Sequence, residues 1–92
     1  MAEAQTLISG EKKLAETNKA EQVTATSTLI TGLSVKAKLG NASVVYIGPS
    51  TVGLESYWLA AGESVEFDVI DASRVYLYGK EGDGANFLGL VP

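Results

Sequence analysis

The stretch from Tyr57 to Gly79 constrains the fold more than any other part of the chain. It contains two segments, SVEFDVI and RVYLYG, in which apolar and polar residues alternate, with a short polar corner between them. A two-residue period is typical of a β-strand with one buried face and one solvated face. We therefore predict two strands here, whose core-facing residues are Val65, Phe67, Val69, Val75 and Leu77.

A second pair of strands is predicted before this stretch. The segment LSVKAKLG also alternates, and its predicted inward residues are Leu33, Val35, Ala37 and Leu39. Gly40 ends this segment and Asn41 follows it, and both residue types tolerate the positive φ angles of a tight hairpin turn. The sequence thus predicts that Leu33–Leu39 pairs antiparallel with Ala42–Ile47.

The rest of the chain after residue 22 is also typical of β-structure. Gln22–Ile30 is rich in Thr and Val and predicts a strand, which a turn at Thr31-Gly32 ends. Short strands are further predicted at Tyr57–Ala60 and in ANFLGLV near the C-terminus. About six or seven short strands, with turns roughly every 8–12 residues, indicate an all-β domain. We predict a small antiparallel β-sandwich or barrel.

Residues 1–22 differ from the rest of the chain, because they mix acidic and basic residues and hold few large apolar ones. We divide the chain into an N-terminal arm, residues 1–22, and a β-domain, residues 23–92. Glu11–Ala20 is rich in good helix formers, so the arm is expected to be partly helical, although its apolar face is narrow. We expect a tail that orders when it binds a partner.

Composition limits the partners of the chain. The net charge of −4 argues against a nucleic-acid partner. No run approaches the ~18 apolar residues of a membrane span, and the N-terminal residues lack the pattern of a signal peptide. A chain of 92 residues without cysteine forms a small core with no disulfide to stabilise it. We expect it to oligomerise or to dock on a larger surface.

Few residues suggest chemistry. The chain has no histidine and no cysteine, which are the commonest general base and nucleophilic thiol. Glu66 and Asp68 are predicted about 7 Å apart on one strand face, a spacing that a glycosidase pair could use, but we expect them to face solvent. Glu81, Asp83 and Asn86 could bind calcium, although a plain turn is favoured. We predict no enzyme activity, no cofactor and no metal.

Aromatic residues are the second group of candidates. Tyr76 and Tyr78 share the strand face opposite the apolar set, and Tyr57 and Trp58 precede the first alternating segment. Exposed tyrosines near a tryptophan can anchor a protein interface or stack against sugars. If a second sheet covers that face, the same residues belong to the core.

Short motifs add a resemblance. VYIG at residues 45–48, STV at 50–52, LAAGES at 59–64, VYLYG at 75–79 and GD at 82–83 occur in this order along the chain. Over residues 33–90 this pattern resembles small accessory virion proteins of tailed bacteriophages, a group of capsid decoration (cementing) proteins, head-fibre bases and related tail modules.

The resemblance implies a structural β module, a homotrimer that binds the major capsid protein and stabilises the head shell. The protein would be made in the cytoplasm of the bacterial host and act on the capsid surface of the virion. A carbohydrate-binding or host-attachment module of a head fibre or tail is the alternative. The partner-binding residues implied in the arm and among the aromatic residues are Leu7, Ile8, Leu14, Tyr57, Trp58, Tyr76 and Tyr78.

Overall fold

The computed structural model describes residues 6–54 and 57–91, which fold into a two-layer β-sandwich. Within those ranges a 3₁₀ turn at Ala72–Arg74 is the only helical segment, and no helix is long and apolar enough to cross a membrane. The strands are β1 (Thr6–Lys13), β2 (Glu21–Gln22), β3 (Leu29–Ala37), β4 (Val45–Gly48), β5 (Tyr57–Leu59), β6 (Ser64–Asp71), β7 (Tyr76–Tyr78) and β8 (Gly84–Val91). The predicted all-β antiparallel fold is confirmed.

The two sheets differ in the lengths of their strands. Sheet A has the order β1-β8-β3-β6 and is built of strands of eight or nine residues. Sheet B has the order β2-β7-β4-β5, and its strands have two to four residues. The core between the sheets includes Ile30, Leu33, Val35 and Ala37 of sheet A and Val45, Ile47, Leu59 and Leu77 of sheet B.

The hairpin predicted around Gly40-Asn41 is wrong. β3 pairs with β6 and β8, whereas β4 pairs with β5 and β7, so the chain crosses from sheet A to sheet B at this point. Neither turn residue has a positive φ. Instead, the side chain of Asn41 donates to Gly84 O and accepts from Gly84 N, both at 2.9 Å. Leu39, predicted to point inward, is 79% exposed because β3 has already ended at Ala37.

The turn predicted at Thr31-Gly32 is wrong as well, because both residues lie inside β3. Gly32 has a φ of 63°, and the pairing of β3 with β8 shifts register beside it, which are the features of a β-bulge. Ile30 and Leu33, three residues apart, are therefore both buried. Val69 pairs with Thr31 on the neighbouring strand, and its predicted core position is wrong, since it is 60% exposed.

The single strand predicted over Gln22–Ile30 is wrong except at its two ends, where β2 finishes and β3 begins. The other core residues predicted in the Tyr57–Gly79 stretch are more buried than Val69. Val75 and Leu77 are buried, and Val65 and Phe67 are partly buried against the core.

The described part of the predicted arm, residues 6–22, belongs to both sheets. β1 pairs with β8 along its whole length, and β2 pairs with β7. The helix suggested for Glu11–Ala20 is wrong. The strand period of β1 is hidden in the sequence because its inward positions are Ile8, Gly10 and Lys12. The ring of Phe87 covers Gly10, and the ammonium of Lys12 pairs with the carboxylate of Glu21 at 3.0 Å.

Candidate interaction surface

The outer face of sheet B carries a row of aromatic side chains. Trp58 of β5 pairs with Tyr46 of β4, and Tyr46 pairs in turn with Tyr78 of β7. The residues before and after them on these strands, such as Val45 and Leu59, are buried in the core. Because side chains alternate along a strand, the three aromatic residues point away from the core on the same face. We call Trp58, Tyr46 and Tyr78 the aromatic row.

The aromatic row is partly preorganised. The rings of Tyr46 and Tyr78 meet edge to face, with centroids 6.2 Å apart and planes at 70°. Such a pair contributes about 0.5–1.5 kcal/mol beyond the area it buries. Both tyrosines are half-buried, whereas Trp58 on the edge strand is 54% exposed. The aromatic row therefore presents the exposed ring of Trp58 beside the rings of Tyr46 and Tyr78, which are already packed against each other.

Tyr76 extends this surface along β7. It pairs with Gly48 of β4, which has no side chain to cover it from that position, and with Gln22 of β2 on the other side. The Gln22 amide donates to Ser73 O at 2.9 Å. Of the predicted partner-binding residues, Trp58, Tyr76 and Tyr78 thus share one face, and Tyr46 joins them.

Tyr57 lies elsewhere, although it is next to Trp58 in sequence. It pairs with Ile47, a core residue, and so lies on the opposite side of β5 from Trp58. It is 65% exposed because β5 is an edge strand, and it lines an apolar cavity of about 380 Å³ where the two sheets separate. Val65, Phe67 and Val75 line the same cavity. The structure therefore separates two aromatic residues that were predicted to act together.

The three predicted contact residues of the arm are also separated. Leu7 is 63% exposed on the outer face of sheet A, and Ile8 is partly buried against the core. Leu14 is 1% exposed within the core, so its predicted contact with a partner is wrong: the fold leaves it no surface to offer. The outer face of sheet A holds further exposed apolar residues that the sequence reasoning missed, namely Leu29, Val69 and Leu88.

The carboxylates considered for chemistry have other surroundings. Glu66 and Asp68 are exposed on the edge strand β6. Asp83 is 5% exposed, and its two oxygens accept hydrogen bonds from Ala42 N and Ser43 N, each at 2.9 Å. Across residues 6–54 and 57–91, no group of three or more carboxylate, histidine or cysteine side chains is placed to bind a metal. Asp83 instead connects the loop before β8 to the loop before β4.

Three other carboxylates have lowered pKa values: Glu11, which accepts a hydrogen bond from Lys38, and Asp71 and Glu21. At Asp71, the hydroxyl of Ser27 donates at 2.5 Å, and the hydroxyl and backbone N–H of Ser73 donate at 2.8 and 3.0 Å. These hydrogen bonds, with that of Ser27 the strongest, lower the pKa of Asp71 far below its ordinary value. At Glu21, burial alone would raise the pKa, but the hydrogen bond to Lys12 and two backbone N–H donors outweigh it and lower the pKa.

Comparisons of this chain with protein-family models, with curated proteins and with solved structures found no match. The face geometry and the sequence motifs are therefore the basis on which a function can be argued.

Proposed function

We propose that this protein is a non-enzymatic structural component of a bacteriophage virion, a capsid decoration protein that binds the major capsid protein and stabilises the head shell. The observation that carries the proposal is the aromatic row on the outer face of sheet B. Two of the motifs that resemble phage accessory proteins, VYIG and VYLYG, supply the strands β4 and β7 that pair Tyr46 with Tyr78. The resemblance and the surface thus involve the same residues.

The chemistry of the row suits a protein contact. Tryptophan and tyrosine are enriched among the residues that dominate binding energy. Because the Tyr46–Tyr78 pair is already packed, it loses little side-chain freedom when a partner covers it. Trp58 projects beside that pair from the edge strand and is the natural anchor. A ligand that binds only the assembled shell stabilises the shell by mass action.

On this proposal the protein is made in the cytoplasm of the bacterial host and acts on the capsid surface as a homo-oligomer, for which the resemblance implies a trimer. Its partners are the major capsid protein and copies of itself, without nucleic acid or membrane. The net charge of −4 and the exposed carboxylates of β6 support the exclusion of nucleic acid.

Co-sedimentation with purified expanded capsids tests the proposal. The wild-type chain should bind, and shells lacking it should melt at a lower temperature. Trp58→Ala should weaken capsid binding by about 30-fold, the effect of losing a binding hot spot of about 2 kcal/mol. Tyr57→Ala is the matched control, because Tyr57 is similarly exposed on the same strand but lies on the other side of it. Absence of capsid binding, or equal losses in both variants, would contradict the proposal.

A carbohydrate-binding or host-attachment module is the second candidate. The exposed ring of Trp58 favours it, because an aromatic ring on a flat strand face can stack against a sugar. The edge-to-face packing of Tyr46 and Tyr78 disfavours it, since those two rings do not form one continuous platform. Binding on a glycan array that Trp58→Ala abolishes, in a chain that ignores capsids, would favour this function over the first.

A further inference from the structure

The outer face of sheet A carries a row of apolar side chains at one end. Leu7 of β1 pairs with Leu90 of β8, Leu90 pairs with Thr31 of β3, and Thr31 pairs with Val69 of β6. Three of these four residues are apolar, and the hydroxyl of the fourth, Thr31, donates to Leu90 O at 3.2 Å. Together they cross the whole width of the sheet, and we call them the apolar row. Leu7 and Val69 are 63% and 60% exposed. The flanking residues Leu29 and Leu88 are also exposed, so no element among the described residues covers this end of the face.

The face becomes polar toward its other end. A middle row with the same pairing lies two residues further along β1 and β8 and, because of the bulge in β3, three residues further along β3 and β6. It consists of Ser9, Leu88, Ser34 and Glu66. The next row, which we call the charged row, consists of Glu11, Asn86, Lys36 and Ser64. An exposed sheet face normally carries polar side chains, and a contiguous apolar patch marks an interaction site. The apolar row is therefore the end at which a partner is expected.

We propose that this face binds a second copy of the chain, sheet against sheet, about a two-fold axis parallel to the strands. This symmetry places each row over the same row of the partner, with β1 over the partner's β6 and β8 over the partner's β3. Leu7 then faces the partner's Val69. Sheets packed in this aligned way interdigitate their facing side chains, so the two apolar rows cover each other at one end of the interface and the polar rows meet at the other.

The polar rows fit this arrangement. In the charged row, Glu11 faces the partner's Ser64 and Lys36 faces the partner's Asn86. In the middle row, Glu66 faces the partner's Ser9. No two like charges of these rows oppose each other, although each copy carries a net charge of −4. The exposed carboxylates of β6 meet β1 of the partner, so they are kept apart from their own equivalents.

A two-fold axis perpendicular to the strands, in the plane between the two sheets, would bring less complementary side chains together. It would place the apolar row over the charged row, with Leu7 against the partner's Glu11 and Thr31 against the partner's Lys36. Desolvating charged side chains against apolar ones without a partner is unfavourable. The pattern of the three rows thus selects the axis as well as the face.

The size of the face predicts how tight the dimer is. Four strands spaced about 4.8 Å apart, each with eight residues rising about 3.3 Å, span roughly 500 Å² per copy. The two copies together reach about 1,000 Å², the lower end for specific interfaces. We therefore expect a dimer that dissociates on dilution. The inference is independent of the capsid proposal, and it differs from the trimer that the resemblance implies.

Sedimentation equilibrium of the full chain without capsids, over a range of concentrations, tests the inference. The mass should rise from monomer to dimer. Leu7→Lys alone and Val69→Glu alone should each raise the dissociation constant by at least about 30-fold, because each places one charge against an apolar residue. The double variant should recover dimerisation, since the new charges oppose each other only across the interface. Within one copy they lie three strands, about 14 Å, apart.

Leu39→Lys is the control, because Leu39 is 79% exposed outside this face, and it should leave the dimer intact. A monomer at all concentrations, a trimer, or single variants without effect would overturn the inference. So would a double variant no better than the single ones. Capsid binding lost in Leu7→Lys by a chain that stays monomeric would assign the face to the capsid protein instead.

Discussion

The two ends of the sandwich are held together in different ways. At one end, where β1 finishes and β8 begins, the buried carboxylate of Asp83 accepts two backbone N–H groups, and Asn41 exchanges two hydrogen bonds with Gly84. At the other end, where β6 finishes and β3 begins, Asp71 is only partly buried and accepts from the hydroxyls of Ser27 and Ser73 as well as from the backbone N–H groups of Thr28 and Ser73. We call these the Asp83 end and the Asp71 end.

This difference continues on the outer face of sheet A. The charged row lies toward the Asp83 end, where Lys38 also pairs with Glu11 at 2.8 Å. The apolar row lies at the Asp71 end. The end with the more deeply buried internal hydrogen bonds thus presents polar side chains, and the opposite end presents the apolar side chains that a partner can cover. Buried hydrogen bonds and exposed apolar side chains are thus located at opposite ends of the same sheet.

The largest effect is expected from Gly84→Ala at the Asp83 end. A Cβ at this position would lie 2.0 Å from Lys12 O, so β1 and β8 could not keep their pairing. We expect the free energy of unfolding in urea to fall by about 3 kcal/mol, the upper range for overpacking. Gly40→Ala is the control, since a Cβ there meets nothing within 4 Å. Equal stability of the two variants would show that the close approach at Gly84 is not needed.

A smaller loss is expected from Asp83→Ala. The change removes two hydrogen bonds to a charged acceptor, those from Ala42 N and Ser43 N, and with them the tie between the two sheets. The expected cost is about 1.5–3 kcal/mol in chemical denaturation. Asp68→Ala, on the exposed edge strand, should change stability by less than about 0.5 kcal/mol. If both variants unfold alike, the Asp83 end is not fixed by its carboxylate.

The smallest effect concerns pH and the Asp71 end. The folded-state pKa of Asp71 is far below its ordinary value of 3.8, so its contribution to stability is present above about pH 4 and is lost as the pH falls further. Asp71→Asn should therefore lose less stability than wild type between pH 5 and pH 3, as monitored by thermal unfolding. Glu11 and Glu21 also have lowered pKa values, and they act equally in both proteins. Parallel pH profiles would refute the role of Asp71.

The local period of the sequence predicted the fold class, because strands such as β4, β6 and β7 alternate visibly. It did not predict β1, in which Gly10 and Lys12 hold inward positions and depend on Phe87 and Glu21, both distant in sequence. It also could not predict which strands pair. The loop that crosses from β3 to β4 is hydrogen-bonded through Asn41 to Gly84, far along the chain.

The candidate surface was also predicted only in part, because the sequence indicates the faces of single strands but not the pairing between strands. The alternation of β7 placed Tyr76 and Tyr78 on one face, and strand pairing through Tyr46 brings Trp58 to the same face. Tyr57 was grouped with Trp58, although neighbours on one strand point to opposite faces. Tyr46 and Val69 joined their surfaces only through pairing with other strands, which no single segment encodes.

The position of β8 in sheet A has a consequence for folding during synthesis on the ribosome. β8 lies between β1 and β3, and Lys13 pairs with Gly84 across roughly 70 residues of intervening chain. During synthesis, β1 leaves the exit tunnel before β8, which among the described residues is the strand with which it pairs. Sheet A can therefore be completed only after β8 emerges, because β8 pairs with both β1 and β3. Until then, β3 can pair with β6 but leaves its other edge open, where a chaperone could protect it.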